Sequence, residues 1–316
     1  MIKVKVLVIG KPTYNFILPL DKFLTEGSKI NINERIEVAG GASVYVASLL
    51  GKWGLDVAYT GLVSNDPFGA KIKAQLDSFN VNTKFIEINY ENPNCTSINY
   101  IIINKTNGSS TEIIRSDPEF NLTKYKYDFV PDYIIMDGTD PAGSFAALNN
   151  FPHATSILFA NKVSEKLYDL SKKCNYVVAN TSYAKALTKL ELEIKRPKAL
   201  VNLMQKIKDL NKAQYIIMMR ENGVLYASNN QVKMIPAIQI EKKEDDTHSG
   251  YMFFATFVYG IINNYGMDNS VKIANIAAGL SLTKVGSINA MLELADVLKL
   301  AGLKEVIESV DTEVLD

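Results

Sequence analysis

The sequence has few of the residues that build disulfide frameworks and metal centres. Of its 316 residues, two are cysteine, two are histidine and one is tryptophan. Cys95 and Cys174 stand far apart and show no ligand-like spacing, so neither a disulfide framework nor a zinc site is indicated. This cysteine usage fits a reducing, intracellular compartment best.

An excess of charge and a long apolar run are also missing. Lysine plus arginine and aspartate plus glutamate both number 34, so the formal net charge is zero and no global field favours nucleic acid or an anionic membrane. No apolar run reaches the roughly 18 residues that span a bilayer. The start, "MIKVKVLVIG", has the pattern of a strand rather than of a signal peptide. We therefore expect a cytoplasmic protein.

The residues that are present favour one α/β domain spanning 1–316, because 47% of them are hydrophobic, enough for a sizeable core. Short apolar runs bounded by turn residues predict buried strands at "VKVLVIG", "DVAYTGLV", "DYIIMDG", "SILFA", "NYVVAN" and "QYIIMMR". Between them, apolar residues at three- and four-residue spacing predict helices at "ASVYVASLLGKWG", "FGAKIKAQLDSF", "SEKLYDLSKK", "SYAKALTKL" and "LVNLMQKIKDLN". The alternation predicts a mostly parallel sheet with helices on both faces.

Two stretches, about 13–38 and 95–117, break this alternation. Both have the pattern of strands or hairpins with polar turns, "TNGSS" being the clearest turn. They predict a small β-structure beside the main sheet. Their runs "NFILPL" and "SINYIII" are too apolar for a ribbon with two solvated faces, so we expect one face to be covered by the main domain or by a second copy, which would make a homodimer.

Several motifs, in order along nearly the whole chain, resemble those of the ribokinase-like (PfkB-type) carbohydrate kinases. "GGASVYVASLLGKWGLDVAYTGLVSNDPFG" resembles the family's first signature, and "DDTHSGYMFFATFVYGI" falls where the family has D-T-x-G-A-G-D before a long helix. "VIGKPTYNFIL", "DPEFNLT" and "ANIAAGLSLTKVGSINAM" are similar to other family segments. The resemblance implies a Rossmann-like ribokinase fold whose β-lid is formed by 13–38 and 95–117.

The resemblance also implies ATP- and Mg²⁺-dependent phosphoryl transfer to a sugar-like alcohol bound under the lid. Its substrate side would be formed by Asn15, Gly40, Gly41 and Tyr45. The charge that moves during transfer would be stabilised by the turn His248, Ser249 and Gly250. The nucleotide would be contacted by Asn180, Tyr183, Arg220, Gly223 and the Ala274–Asn275 pair of the C-terminal helix.

The positions that would carry chemistry depart from the family pattern. Tyr251 occupies the place of the aspartate that takes the proton from the acceptor hydroxyl, and tyrosine, with a reference pKa near ~10, is a poor base. Asn15 replaces an aspartate, Tyr45 an asparagine, and Tyr183 the glutamate that helps to organise magnesium. Arg220 stands where the nucleotide-side strand commonly ends in glycine. These departures predict lost or impaired catalysis and weak or absent magnesium-dependent ATP binding.

Other interpretations remain open at this stage. The chain could be an active sugar kinase that uses a displaced carboxylate, Asp245 or Asp246. The tyrosines could be ordinary packing residues, and His248 has the pattern of a surface or capping histidine. A hydride-transfer enzyme is the least favoured class, because no G-x-G-x-x-G follows the first strand.

Overall fold

The computed structural model describes residues 4–22, 24–92, 94–116, 122 and 126–303. Its strands are β1 (Lys5–Ile9), β2 (Thr13–Leu20), β3 (Ile36–Gly40), β4 (Asp56–Thr60), β5 (Leu62–Ser64), β6 (Glu87–Asn89), β7 (Ser97–Asn104), β8 (Ser109–Arg115), β9 (Tyr133–Met136), β10 (Thr155–Ala160), β11 (Tyr176–Asn180), β12 (Gln214–Met218), β13 (Val224–Ser228) and β14 (Gln231–Ile235). Its helices are α1 (Ala42–Lys52), α2 (Pro67–Ser78), α3 (Pro141–Asn150), α4 (Glu165–Ser171), α5 (Thr181–Thr188), α6 (Pro197–Leu210), α7 (Ser249–Ile262), α8 (Gly266–Ser281) and α9 (Leu294–Ala301).

The main sheet has the strand order β14-β13-β12-β11-β10-β9-β1-β4. The pairs from β4 to β12 are parallel, whereas β13 and β14 extend that edge antiparallel. Alternate residues of β1 point to opposite faces, so Val6 and Val8 join the core formed with α1, α7 and α8, while Leu7 and Ile9 join the core formed with α3 to α6. The α/β class with helices on both faces, predicted from the sequence, is confirmed.

The predicted strands and helices have counterparts in the structure, which also contains β6 and α9 outside the predicted segments. The sequence pattern did not identify α3, whose start is capped by Asp140 accepting from the Gly143 N–H at 2.8 Å, or the antiparallel pair β13 and β14. Short polar turns and a weak helical pattern explain why neither was recognised. Within the described residues, no helix is both long and apolar enough to cross a membrane.

A second sheet has the order β3-β2-β7-β8 and is built from the two stretches that break the α/β alternation. One of its faces packs Ile17, Val38, Ile101 and Ile103 against a segment that follows α8. On the other face, Phe16, Tyr100 and Ile113 form a row across three paired strands. The Phe16 and Tyr100 rings are stacked with their centroids 5.2 Å apart. Residues 23 and 117, and all of the motif "DPEFNLT" except Leu122, lie outside the described residues.

Candidate ligand-binding site

The parallel strands of the main sheet all end at one edge, and this is where an α/β sheet usually binds its ligand. Asp137 follows β9, Asn161 follows β10, Asn180 ends β11, and Arg220 lies two residues after β12. The second sheet lies beside this edge, since the Asp246 N–H donates to the Gly108 carbonyl in its hairpin turn at 3.1 Å. The two sheets and the start of α7 thus enclose one cleft.

Asp245 fixes the turn that begins α7. It is fully buried, and its Oδ1 accepts hydrogen bonds from the Thr247 N–H at 2.9 Å and the Thr247 hydroxyl at 2.6 Å. Its Oδ2 accepts from the Gly286 N–H at 2.9 Å. Burial alone would raise the pKa of Asp245, but His248 and Thr247 outweigh it and hold that pKa below its ordinary value. Asp245 therefore holds the turn in place and does not face the cleft.

His248 is buried rather than exposed, which corrects the expectation of a surface or capping histidine. It occupies the N-cap position of α7, but its side chain makes no capping bond. Its Nε2 lies 2.9 Å from the Ser281 carbonyl oxygen and must donate to it, while Nδ1 lies 3.4 Å from Asp245 Oδ2. The long-range contact with the end of α8 could not be read from the local sequence.

The first residues of α7 present free backbone donors to the cleft. The helical hydrogen bonding starts with the Met252 N–H, which donates to the His248 carbonyl at 2.9 Å. The N–H groups before it have no partner inside the helix, and the helix dipole adds positive potential there. Ser249 and Gly250 both line the cavity described below. This helix start has the chemistry of an anion site.

Tyr251 lies one residue further along and points into an aromatic cluster. Its ring centroid is 6.1 Å from that of Tyr45 and 6.0 Å from that of Phe159. Tyr45 is buried, and its hydroxyl lies 3.9 Å from the Met252 sulfur. Burial raises the pKa of Tyr251, and the nearby carboxylates of Glu112 and Asp137 raise it further. The phenol therefore stays protonated at neutral pH.

The strand-end glycines lie where the sequence predicts a tight approach of backbone to a ligand, but a side chain covers one of them. A Cβ atom on Gly40 would lie 2.0 Å from Asn15 Nδ2, so the Asn15 amide packs directly over Gly40. Asn15 Oδ1 accepts from the Thr13 hydroxyl at 2.7 Å. Gly41 precedes α1 with φ of 93°, a backbone conformation that favours glycine.

Asp137 is a buried carboxylate that is not among the residues predicted from the sequence motifs. It accepts hydrogen bonds from the Ser43 N–H at 3.0 Å and the Thr139 N–H at 2.9 Å, and it also contacts the Thr139 hydroxyl. Burial raises its pKa. A signal was available, because a carboxylate directly after a buried strand, as in "IIMDG", falls at the edge where such sheets bind ligands.

A cavity of about 570 Å³ opens on the side of the cleft to which the sequence assigns the expected nucleotide contacts. Four of the residues assigned to that side, Asn180, Arg220, Gly223 and Asn275, line it. Its apolar end is formed by Ala237, Ile238, Phe253, Ala278 and Leu282, and the second sheet contributes Ser110 and Glu112.

The residues assigned to the acceptor side do not line this cavity. They are Asn15, Gly40, Gly41, Tyr45 and Tyr251, all placed beside the cleft but covered by one another or by neighbouring side chains. A larger groove of about 1230 Å³ lies at the opposite edge, between α6 and the β13–β14 turn, and contains none of the residues singled out from the sequence.

Tyr183 lies in the first turn of α5, three residues after Asn180, and its side chain does not line the cavity. Asn180 Oδ1 caps the helix by accepting from the Tyr183 N–H at 2.8 Å, and its Nδ2 donates to the Asn161 carbonyl at 2.8 Å. The Tyr183 ring is buried in the core beneath the sheet, with its hydroxyl 3.5 Å from the Leu167 carbonyl. No oxygen ligand for magnesium therefore reaches the cavity from position 183.

Position 183 thus supplies no magnesium ligand, and the carboxylates that line the cavity are those of Glu112, Glu221 and Asp246. Mg²⁺ prefers one or two carboxylates with phosphate oxygens and water. Across the described ranges, no group of three or more His, Cys, Asp or Glu side chains is placed to hold a metal ion. Asp245 is committed to its turn, and Asp246 pairs with Lys243 at 3.1 Å.

Glu112 is a cavity residue that no sequence motif singles out. Its carboxylate accepts from Asn99 Nδ2 at 2.8 Å across the second sheet. Asn99 is buried, and its Oδ1 has no hydrogen-bond partner in the described part of the chain. Only the strand pairing brings these two residues, which are 13 positions apart, to the same face.

Comparison with known proteins gives one consistent family. The profile described as pfkB family carbohydrate kinase matches residues 3–294. The ribokinase of Lactococcus lactis is 24% identical over 307 residues, which cover 96% of this chain and 98% of that protein. Among solved structures, the 2-dehydro-3-deoxygluconokinase of Thermotoga maritima has a TM-score of 0.79 at 18% identity, covering 95% of this chain and 98% of that one. The ribokinase of Arabidopsis thaliana, solved with ribose and ATP, has a TM-score of 0.76 at 16% identity and covers 96% and 100%.

Proposed function

The chain belongs to the pfkB family of carbohydrate kinases, and from this premise we propose that it binds a nucleotide but has lost, or strongly reduced, phosphoryl transfer to a sugar-like alcohol. The observation that carries the proposal is the aromatic cluster of Tyr45, Phe159 and Tyr251. It occupies the part of the cleft where the family places the acceptor hydroxyl and its base.

The nucleotide half of the cleft supports binding. A cavity of about 570 Å³ is large enough for a nucleotide. Its apolar end suits a base, and the start of α7 at Ser249 and Gly250 suits phosphate, because unpaired backbone N–H groups and the helix dipole both favour an anion. The ribokinase solved with ribose and ATP has the same fold, which makes a nucleotide the natural ligand to test.

The side of the cleft that would hold the acceptor, with Tyr45 and Tyr251, is unsuited to catalysis. Bound ATP would supply the phosphoryl group, and the chain would then have to position an acceptor hydroxyl and remove its proton. The Tyr251 phenol has a raised pKa and holds its proton, so it cannot serve as that base. Loss of a general base typically costs about 10²- to 10⁴-fold in rate. The rings of Tyr45 and Tyr251 also occupy space that the acceptor needs.

The alternative is an active sugar kinase that uses a displaced carboxylate as its general base. The two candidates for that base, Asp245 and Asp246, differ in their contacts. Asp245 is buried and bonded to Thr247 and Gly286, so it is a structural residue in this proposal. Asp246 does line the cavity, which keeps it as the candidate base for the alternative. It is paired with Lys243 at 3.1 Å, and that contact would have to break before the carboxylate could reach an acceptor hydroxyl.

Isothermal titration calorimetry with ADP, followed by a coupled ATP-consumption assay over a panel of sugars, tests both halves of the proposal. We expect saturable ADP binding with one site per chain and no sugar-dependent ATP consumption. ADP binding together with robust turnover would favour the alternative. Absence of ADP binding would remove the nucleotide half of the proposal.

We also propose that the exposed face of the second sheet forms a homodimer. The row formed by Phe16, Tyr100 and Ile113 leaves Tyr100 42% and Ile113 58% exposed. An apolar row on a sheet face tends to be buried by a partner. We expect light scattering at micromolar concentration to give a dimer for the native chain and a monomer for Tyr100→Glu combined with Ile113→Glu.

The matched control for the dimer is Val163→Glu, which places the same charge at a residue that is 60% exposed and outside the second sheet. It should leave the dimer intact. A native chain that is already monomeric at these concentrations would remove the dimer proposal.

A further inference from the structure

Arg220 stands in the cavity wall in a backbone conformation that arginine rarely adopts. Its φ is 53°, in the left-handed region, where a side chain with a Cβ atom costs folding free energy that glycine would not. It begins the short 3₁₀ turn Arg220–Asn222, and Gly223, which closes the turn, has φ of 87°. A strained residue at a cleft is a reason to look for a function.

The turn itself is held by contacts that do not involve the arginine side chain. The Met219 N–H donates to the Gly223 carbonyl at 2.8 Å, and the Gly223 N–H donates to the Arg220 carbonyl at 3.0 Å. A Cβ atom on Gly223 would lie 1.9 Å from the Ile235 carbonyl oxygen, so β14 fixes the turn closely. The backbone conformation at position 220 would therefore be the same with glycine there.

The guanidinium of Arg220 has no hydrogen-bond or ion-pair partner among the described residues. The other cation in the cavity wall, Lys243, is already paired with Asp246. Two further carboxylates, Glu112 and Glu221, line the same cavity and would repel a phosphate. An unpaired arginine is thus the one cationic group of this described wall that is free to receive an anion.

The residue at position 183 bears on the same point. The position that would carry the magnesium-organising carboxylate is Tyr183, whose side chain lies in the core beneath the sheet. A nucleotide bound here would therefore gain from a protein cation beside its phosphates. Arginine meets this need well, because its planar guanidinium donates two parallel hydrogen bonds to phosphate oxygens and keeps its charge at all accessible pH values.

We propose that Arg220 binds the phosphates of the nucleotide directly, so that the chain takes a nucleoside diphosphate or triphosphate without Mg²⁺. The inference rests on the proposed function, since it assumes that the cavity holds a nucleotide. It also explains the strain: the arginine is kept at a left-handed position, at a cost in stability, because its charge is used there.

Calorimetric titration of ADP and adenosine, each in EDTA and in Mg²⁺, tests this on the native chain and on Arg220→Gly. Native ADP affinity should be the same in both buffers. Arg220→Gly should weaken ADP binding by at least about tenfold, as expected for a lost hydrogen bond to a charged group, and leave adenosine binding unchanged. Because glycine relieves the left-handed strain, the same variant should melt about 1–3 °C higher.

Lys189→Gly is the matched control. Lys189 is also an exposed cation in the left-handed region, with φ of 60°, but it ends α5 and does not line the cavity. Its replacement should raise the melting temperature without changing ADP affinity. Arg220→Lys, which keeps the charge but not the two parallel donors, should retain part of the affinity.

The possible failures are distinguishable. ADP binding that is unaffected by Arg220→Gly overturns this inference and leaves the proposed nucleotide site standing. Native ADP affinity that rises tenfold or more with Mg²⁺, a change of about 1.4 kcal/mol, also overturns it. If the native chain binds neither ADP nor adenosine, the nucleotide site and this inference fall together.

Discussion

Native protein mixed with ATP, Mg²⁺ and a panel of sugars is expected to consume ATP no faster than a protein-free control. In our proposal Tyr251 takes the place of the family's base, and its raised pKa keeps its hydroxyl protonated at neutral pH, so it cannot accept a proton. The proposal also assigns the space for the acceptor to the rings of Tyr251 and Tyr45, which are 6.1 Å apart between centroids. A sensitive coupled assay with single-turnover controls is the measurement.

Restoring the carboxylate alone should recover little activity. Tyr251→Asp supplies a base, but Tyr45 would still lack the amide that positions the acceptor, and positioning is a large part of phosphoryl-transfer catalysis. We expect the double variant Tyr251→Asp with Tyr45→Asn to exceed the single variant by about tenfold or more. Tyr183→Glu is not a useful third change, since that side chain is buried in the core and a carboxylate there would destabilise the fold.

Tyr251→Phe is the control that separates packing from chemistry. It keeps the ring beside Tyr45 and Phe159 and removes only the hydroxyl. We expect a stable and equally inactive protein. If the native chain turns over and Tyr251→Phe abolishes that activity, the tyrosine is catalytic and the proposed loss of function is wrong. Strong recovery from Tyr251→Asp alone would show that the acceptor space is less obstructed than the rings indicate.

The fold was predictable because the sequence encodes it locally. The β-branched run before Gly10 specifies β1, and the spacing of apolar residues between Ala42 and Lys52 specifies α1. The glycines at 40 and 223 occur where a Cβ atom would meet a neighbouring atom at 2.0 Å or less. These constraints on the backbone are kept, and the chain matches its family over residues 3–294.

The side chains at the site were less predictable, because long-range contacts decide their orientation. Tyr183 lies just after Asn180, whose capping role is recognisable in the sequence. Its ring is nevertheless buried in the core, where its hydroxyl lies near the Leu167 carbonyl. Asp245 and Asp246 are adjacent, and the sequence pattern does not show which of them is structural and which faces the cavity. The N–H of Gly286, 41 residues away, binds the first, while the second faces the cavity. His248 owes its burial to Ser281 in the same way.

Asp245→Asn is expected to lower the free energy of unfolding by about 3 kcal/mol, the usual cost of breaking a buried, hydrogen-bonded charge. The carboxylate accepts from Thr247 and from Gly286, with His248 Nδ1 at 3.4 Å. An amide in its place would turn an NH₂ group toward one of these donors and leave it unpaired. Urea unfolding at pH 7 is the measurement.

The same carboxylate should make the native stability depend on pH in a defined window. Burial raises the pKa of Asp245, but His248 and Thr247 lower it by more, so the folded-state pKa lies below the unfolded value of about 4. A depressed pKa contributes stability that is complete above the unfolded pKa and is lost as the pH falls through the folded one. Native unfolding free energy should therefore drop below about pH 4, and the drop should be shallower in Asp245→Asn.

Asp246→Asn is the matched control, one residue along and with the same change of group. Its carboxylate is partly exposed and pairs with Lys243, a contact worth about 1 kcal/mol or less. It should unfold nearly as the native chain does and keep the native pH profile. If Asp246→Asn proves the more destabilising of the two, the structural role assigned to Asp245 is wrong. If the native chain phosphorylates a sugar and Asp245→Asn is stable but inactive, the alternative of an active kinase is supported, with Asp245 as the displaced base.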